Sequence, residues 1–240
     1  MDNFIKNRTF IGLLLLAIIF CTYIFKFDLI FFFILCLFVF IEIYKNKFLN
    51  NLYFIIYILN FFLCIFLIYQ FNDFSIFMLF LSVLFLILSF VFKNFINILF
   101  TYFILFFLCI FFSILINDRN IFFLIIFISF LNDTCAYIFG NLLKGPKISK
   151  KISPNKTWSG TLVSIFISST VLYYFNFNLI NSIFISFLLF YGDLYFSYIK
   201  RLFSIKDFSN FLSSHGGISD RLDSMTISSL FIYFINFYYV

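Results

Sequence analysis

Apolar runs close to the length of a bilayer crossing follow one another along almost the whole of this 240-residue chain, with only short polar breaks between them. Crossing the hydrocarbon core takes ~20 mostly apolar residues, and in lipid every backbone polar group must find its partner within the protein. With 64% hydrophobic and 11% charged residues, the composition is not that of a soluble domain. The reading is an all-α polytopic membrane protein.

The runs place about nine transmembrane helices, at residues 9–25, 27–44, 52–70, 74–92, 95–116, 121–140, 161–176, 179–199 and 224–240. Charge gives them a direction. With the N-terminus cytoplasmic, the inner side carries Lys6, Arg8, Lys45, Lys47, Lys93, Lys144, Lys147, Lys150, Lys151, Lys156, Lys200, Arg201, Lys206 and Arg221. The outer side keeps Lys26 and Arg119, a clear positive-inside bias that leaves the C-terminus outside. Lys6 and Arg8 precede an apolar run without a small-residue cleavage site, so an uncleaved first helix is expected. Cys21, Cys36, Cys64, Cys109 and Cys135 are scattered through apolar runs with no CxxC spacing and read as packing residues, not as disulfides or a zinc site.

A compositional boundary lies near residue 130. Beyond it fall six of the seven glycines, both prolines, the one tryptophan and the one histidine. Residues 1–120 therefore read as a transmembrane region for anchoring, a cavity wall or a dimer contact. Residues 121–240 read as the catalytic region, with cytoplasmic loops at 141–160 and 200–223.

The chemistry concentrates in residues 197–224, SYIKRLFSIKDFSNFLSSHGGISDRLDS. Basic groups that can hold phosphates alternate there with carboxylates that can hold a hard cation. Gly216-Gly217 sits between them, where backbone can approach a ligand closely. If the eighth span stays helical to its end, Asp193, Ser197, Lys200 and Arg201 share one face, at i, i+4, i+7 and i+8. Asp220 and Asp223 share a face if the last helix has begun by then, although a helix start also favours acidic residues for its dipole alone. Asp133 and Asp193 lie inside predicted spans, where a carboxylate faces a partner or a wet cavity. Each reads either as a cation ligand or as half of a structural ion pair. His215 reads as a phosphate or nucleotide contact ahead of a general base. The five lysines of KGPKISKKISPNK (144–156) suit both a positive-inside loop and a phosphate-binding flap. No GxxxxGK[ST] loop and no dinucleotide fingerprint occurs.

The spacing of Ser197, Lys200-Arg201, Lys206-Asp207, His215-Gly216-Gly217, Asp220-Arg221 and Asp223 resembles the signature of the CDP-diacylglycerol synthases, or phosphatidate cytidylyltransferases. NDTCAYIFG (132–140) and ISPNKTWSG (152–160) resemble two further elements of that family. Asn155 stands where Lys is usual, Ser159 where Glu is usual, and Ser213 where Pro or Gly is usual. The resemblance covers about residues 130–240 and implies an enzyme of a bacterial-type inner membrane with its active site facing the cytoplasm. It implies transfer of CMP from CTP to phosphatidic acid, giving CDP-diacylglycerol and pyrophosphate. The catalytic residues it implies are Asp193, Lys200, Arg201, Asp220 and Asp223. The substrate-binding residues are Ser153, Lys156, Thr157, Ser197, Lys206, His215, Gly216, Gly217 and Arg221. Mg²⁺ would sit on Asp193, Asp220 and Asp223, with Asp133 a further candidate and room for a second cation. The implied partners are CTP, phosphatidic acid, the bilayer and a second copy of the chain, and not nucleic acid. A CTP-dependent polyprenol or phytol kinase is the runner-up, disfavoured by the HGGxxDRxD ending. An ion-coupled transporter is the alternative of another class, disfavoured because no repeated half is visible.

Overall fold

The computed structural model describes residues 14, 17–71, 95–149, 152–209, 211 and 216–238. These divide into two compact units, one drawn from 1–121 and 211–218, the other from 122–210 and 219–240.

The first unit holds a helical stretch over 17–25 and then α1 (Asp28–Lys45), α2 (Asn51–Phe71) and α3 (Phe95–Asn117). α1 opens on Asp28 and closes on Lys45, the signs that suit the two ends of a helix dipole. α3 packs against both α1 and α2. Aromatic rings interlock there: Phe32 meets Phe112 at 5.2 Å between centroids, and Tyr57 meets Tyr102 edge-on at 6.0 Å. Such offset and edge contacts place the positive rim of one ring against the face of another. Asp28 pairs with Arg119, whose guanidinium also donates to the Tyr23 carbonyl.

α4 (Arg119–Leu143) leads into the second unit. Asp118 caps it, its Oδ1 accepting the N–H groups of Asn120 (2.8 Å) and Ile121 (3.2 Å). Then come β1 (Lys147–Ser149), β2 (Ser153–Thr157), α5 (Trp158–Tyr174), α6 (Leu179–Leu202) and α7 (Ser219–Tyr238). α6 packs against both α5 and α7. Buried hydroxyls sit between helices here: Ser129 bonds Ser224 at 2.7 Å, and Ser168 donates to Asn132 at 3.2 Å. Small polar residues allow close helix approach and satisfy one another away from water.

Among the described residues, one segment forms strands in place of helix. The segment expected as a loop at 141–160 contains an antiparallel hairpin, Lys147 opposite Thr157 and Ser149 opposite Ser153. Lys150 and Lys151 lie outside the described residues. Pro154 is tolerated because a two-stranded ribbon has only edge strands.

Among the described residues, four helices are long and apolar enough to cross a membrane: Tyr53–Gln70, Ile96–Asn117, Arg119–Leu143 and Leu179–Leu202. The expected span 74–92 and the start of 9–25 lie outside the described residues. The other three expected spans are helices with a reason to stand apart. α1 carries Asp28, Glu42 and Lys45, and α5 has 17 residues. α7 begins at Ser219, ahead of the expected 224, and so takes in Asp220, Arg221 and Asp223.

Candidate active site

The second unit gathers charge from four elements: Asp133 on α4, Lys156 on β2, Asp193 and Lys200 on α6, and Asp220, Arg221 and Asp223 on α7. Each arrives for a local reason. Thr157 caps α5, its Oγ1 accepting the Gly160 N–H at 3.3 Å, so β2 ends where the helix begins. Ser159, at the position where Glu is usual, accepts the Gly145 N–H at 3.1 Å and donates to Thr157. These bonds close the base of the hairpin next to Lys156. α5 lies close against α4, since a Cβ on Gly160 would fall 2.4 Å from the Ala136 carbonyl oxygen and 2.9 Å from Gly140. α6 runs unbroken to Leu202, and α7 starts before its carboxylates.

Lys156 forms an ion pair with Asp193. Lys200 donates to Asp220 Oδ1 at 2.8 Å, and the Phe208 N–H donates to Asp220 Oδ2 at 3.0 Å. Both carboxylate oxygens of Asp220 are thus engaged, one by an ammonium and one by main chain. Lys200 and Asp220 are both buried, so removing one would leave the other's charge uncompensated. Asp133, Asp193 and Asp223 stand within electrostatic reach of one another, with Lys156 near all three. Arg221 acts on Asp133, and Lys200 on Asp193, Asp220 and Asp223. Cations are thus interleaved among the three carboxylates and offset their mutual repulsion.

The remaining expected site residues are placed differently. Ser197 is buried on α6, between Asp193 and Lys200. Arg201, expected on the same face, is exposed; its guanidinium donates to the Ile152 carbonyl at 3.3 Å and the Ile205 carbonyl at 3.2 Å. It links α6 to the hairpin and to the turn that follows. Ser153 opens β2 opposite Ser149, and Lys206 is exposed beyond α6. Gly216 and Gly217 are buried and belong to the first unit. His215 lies outside the described residues.

Two residues escaped the sequence reading. Gly192 precedes Asp193 within an apolar helix, and a Cβ there would fall 2.7 Å from the Asp223 carbonyl oxygen. A lone glycine inside a helical run is the signal that could have marked it. Glu42 is a buried carboxylate in the first unit, visible in the sequence as an acidic residue inside an apolar run.

Asp220, expected with Asp193 and Asp223 as a cation ligand, has both oxygens engaged, whereas Asp193 and Asp223, with Asp133, offer the oxygen ligands that Mg²⁺ prefers. Among the described residues, no three such side chains close to metal-binding distance. Lysine ammoniums compensate the carboxylates instead.

The sequence pattern of the Cytidylyltransferase family matches residues 6–239, nearly the whole chain. The chain belongs to this family. Phosphatidate cytidylyltransferase of Rickettsia bellii is 40% identical to it over 125 residues, which is 45% of this chain and 54% of that protein. The enzyme of the same name from Rickettsia conorii is 34% identical over 122 residues, 44% of this chain and 53% of the relative. That of Staphylococcus haemolyticus is 40% identical over 105 residues, 40% of each chain. The match with the Rickettsia proteins thus spans about half of their length. The expectation of a cytidylyltransferase-family membrane protein holds for this chain.

Proposed function

We propose that this chain transfers CMP from CTP to phosphatidic acid, yielding CDP-diacylglycerol and pyrophosphate. The observation that carries the reading is the interleaved charge cluster of Asp133, Asp193 and Asp223 with Lys156, Lys200 and Arg221. Family membership and the names of the relatives support it. The reaction joins two anions. A phosphate oxygen of the lipid forms a bond to the α-phosphorus of CTP, the α–β bridging P–O bond breaks, and pyrophosphate leaves with the electron pair. An oxygen already deprotonated at neutral pH needs no base, so the work is positioning and charge stabilisation.

Lys156 and Arg221 are suited to neutralise the triphosphate. Lys156 is now paired to Asp193 and can turn to a phosphate when one arrives. Asp220, engaged on both oxygens, holds Lys200 towards Asp193 and Asp223. Mg²⁺ would be held by Asp193 and Asp223 with Asp133 beside them, and would supply positive charge against the triphosphate oxygens. Ser153, Thr157 and Ser197 lie on the same elements as these groups and complete the substrate contacts.

The membrane arrangement belongs to the same proposal: nine crossings, N-terminus cytoplasmic, C-terminus outside, and the cluster opening to the cytoplasm of a bacterial inner membrane, with the chain acting as a homodimer. The pairing of Asp28 with Arg119 supports it by bringing together two segments assigned to the outer side. Purified protein given labelled CTP and phosphatidate, with and without Mg²⁺, tests the reading. Equal amounts of CDP-lipid and pyrophosphate are expected. A phosphorylated lipid with CDP, or no nucleotide chemistry, would overturn it.

A further inference from the structure

We infer that Ser129 on α4 and Ser224 on α7 are positioning residues for the carboxylates Asp133 and Asp223: their hydroxyl pair fixes the register of the two helices at the proposed cation site. The role rests on the CTP-transfer reading above. The two Oγ atoms lie 2.7 Å apart across 95 residues of sequence, and the residues are 1% and 0% exposed. A buried hydroxyl needs a hydrogen-bond partner, and here two of them meet. The bond is directional, so it resists the sliding and rotation that contact between apolar surfaces alone would permit.

Each hydroxyl stands next to a carboxylate of the cluster. Ser129 and Asp133 are at i and i+4 on α4, one turn apart on one face. Ser224 directly follows Asp223, and its N–H donates to Asp223 Oδ1 at 2.7 Å. The third carboxylate comes to the same turn of α7 by another route. A Cβ on Gly192, the residue before Asp193, would fall 2.7 Å from the Asp223 carbonyl oxygen and 3.1 Å from that of Ser224. Residues 223 and 224 are therefore gripped by α4 through a side chain and by α6 through its backbone. The α4 side is itself anchored, since Asn132, beside Asp133, accepts from Ser168 of α5 at 3.2 Å.

Mg²⁺ tolerates little departure from octahedral geometry, so its ligands must stand at a set spacing. Asp133, Asp193 and Asp223 repel one another, and that spacing has to come from the groups around them. The interleaved cations offset the repulsion. The hydroxyl pair fixes where the backbones of α4 and α7 stand, and acts through Asp133 and Asp223 without touching the cation.

The test compares Ser129→Ala, Ser224→Ala and the double variant in the full-length protein, with Ser186→Ala as the control. Ser186 is also buried but bonds within its own helix, donating to the Ser182 carbonyl at 2.8 Å. Mn²⁺, which takes the same oxygen ligands as Mg²⁺, is titrated into nucleotide-free protein and followed by electron paramagnetic resonance, beside thermal unfolding and CDP-lipid formation. Each single variant strands one buried hydroxyl and should lose stability, whereas the double variant removes both partners and should regain much of it. The Mn²⁺ concentration for half-saturation should rise about tenfold in all three, the lower end of what groups supporting metal ligands contribute. It should stay at the wild-type value in Ser186→Ala. Weak Mn²⁺ binding in a double variant of restored stability separates placement from folding, and that variant carries the test alone should a single one fail to fold. Unchanged Mn²⁺ affinity in the double variant, or an equal loss in Ser186→Ala, overturns the positioning role alone. Wild-type protein that makes CDP-lipid but binds no Mn²⁺ overturns the cation site and this role, and leaves the transfer reading standing. Wild-type protein that makes no CDP-lipid overturns the transfer reading and this role with it.

Discussion

The backbone of Gly192 lies against the carbonyl oxygen of Asp223, so closely that a Cβ at residue 192 would come within 2.7 Å of it and within 3.1 Å of the Ser224 carbonyl oxygen. This contact sets how near α7 lies to α6. It puts Asp193, the next residue of α6, beside the turn of α7 that carries Asp223. The missing side chain, as much as any charge, makes the carboxylates neighbours.

Gly192→Ala should therefore damage the site without touching a charged group. The methyl meets main chain, which cannot swing aside, so α7 must shift, at ~1–3 kcal/mol for overpacking. Turnover of CTP in the variant should fall while its melting temperature in detergent drops by only a few degrees. Full activity would mean that the spacing of Asp193 and Asp223 is unimportant.

Asp193→Asn and Asp223→Asn should each lower turnover by ~10²–10³, the usual cost of removing a central electrostatic element. Folding should survive, because loss of one carboxylate relieves repulsion from its neighbours. Asp133→Asn is expected to be milder. Rates near wild type at saturating Mg²⁺ in the first two variants, measured beside thermal unfolding, would remove the cation from the proposal.

The Lys200–Asp220 pair makes a different prediction. Lys200→Met strands a buried carboxylate and Asp220→Asn strands a buried ammonium, each at ~3–5 kcal/mol. The double variant removes both members of the pair and should recover part of the lost stability in thermal unfolding, the rest staying lost because the buried Asp223 no longer has Lys200 beside it. Activity should not return, because the cation facing Asp193 and Asp223 is gone. Independent, additive losses of stability would show that the two residues do not act as a pair.

Arg201→Lys keeps its charge but loses the planar fork that reaches the Ile152 and Ile205 carbonyls. It should lower CTP turnover clearly, whereas Lys147→Ala, at an exposed position of β1, should have little effect. Equal behaviour of the two variants in the same assay would reduce Arg201 to a topology signal.

Much was legible from sequence alone because it is local. Runs of apolar residues near the length of a crossing become helices whatever surrounds them, and α2, α3, α4 and α6 did so where expected. The family, too, was written in short spacings, from Ser197 to Asp223 and in the two upstream elements. The hairpin was not legible. Its strands have three and five residues, rich in Lys and Ser and broken by Pro154, and read as a loop.

What only the tertiary structure decided is which side chains meet. Helices such as α2 and α3 carry apolar residues on every side, so no amphipathic stripe marks an inward face. The pairing of Lys156 with Asp193, the approach of Asp223 over Gly192 and the bond from Ile218 to Glu42 each join residues far apart in the chain. Such contacts depend on how close two backbones come and at what rotation. Packing sets both, through the absence of a Cβ at Gly160 and Gly192 and the burial of Ser129 against Ser224. Charge pattern named the residues able to do chemistry, and helix packing decided which of them stand together.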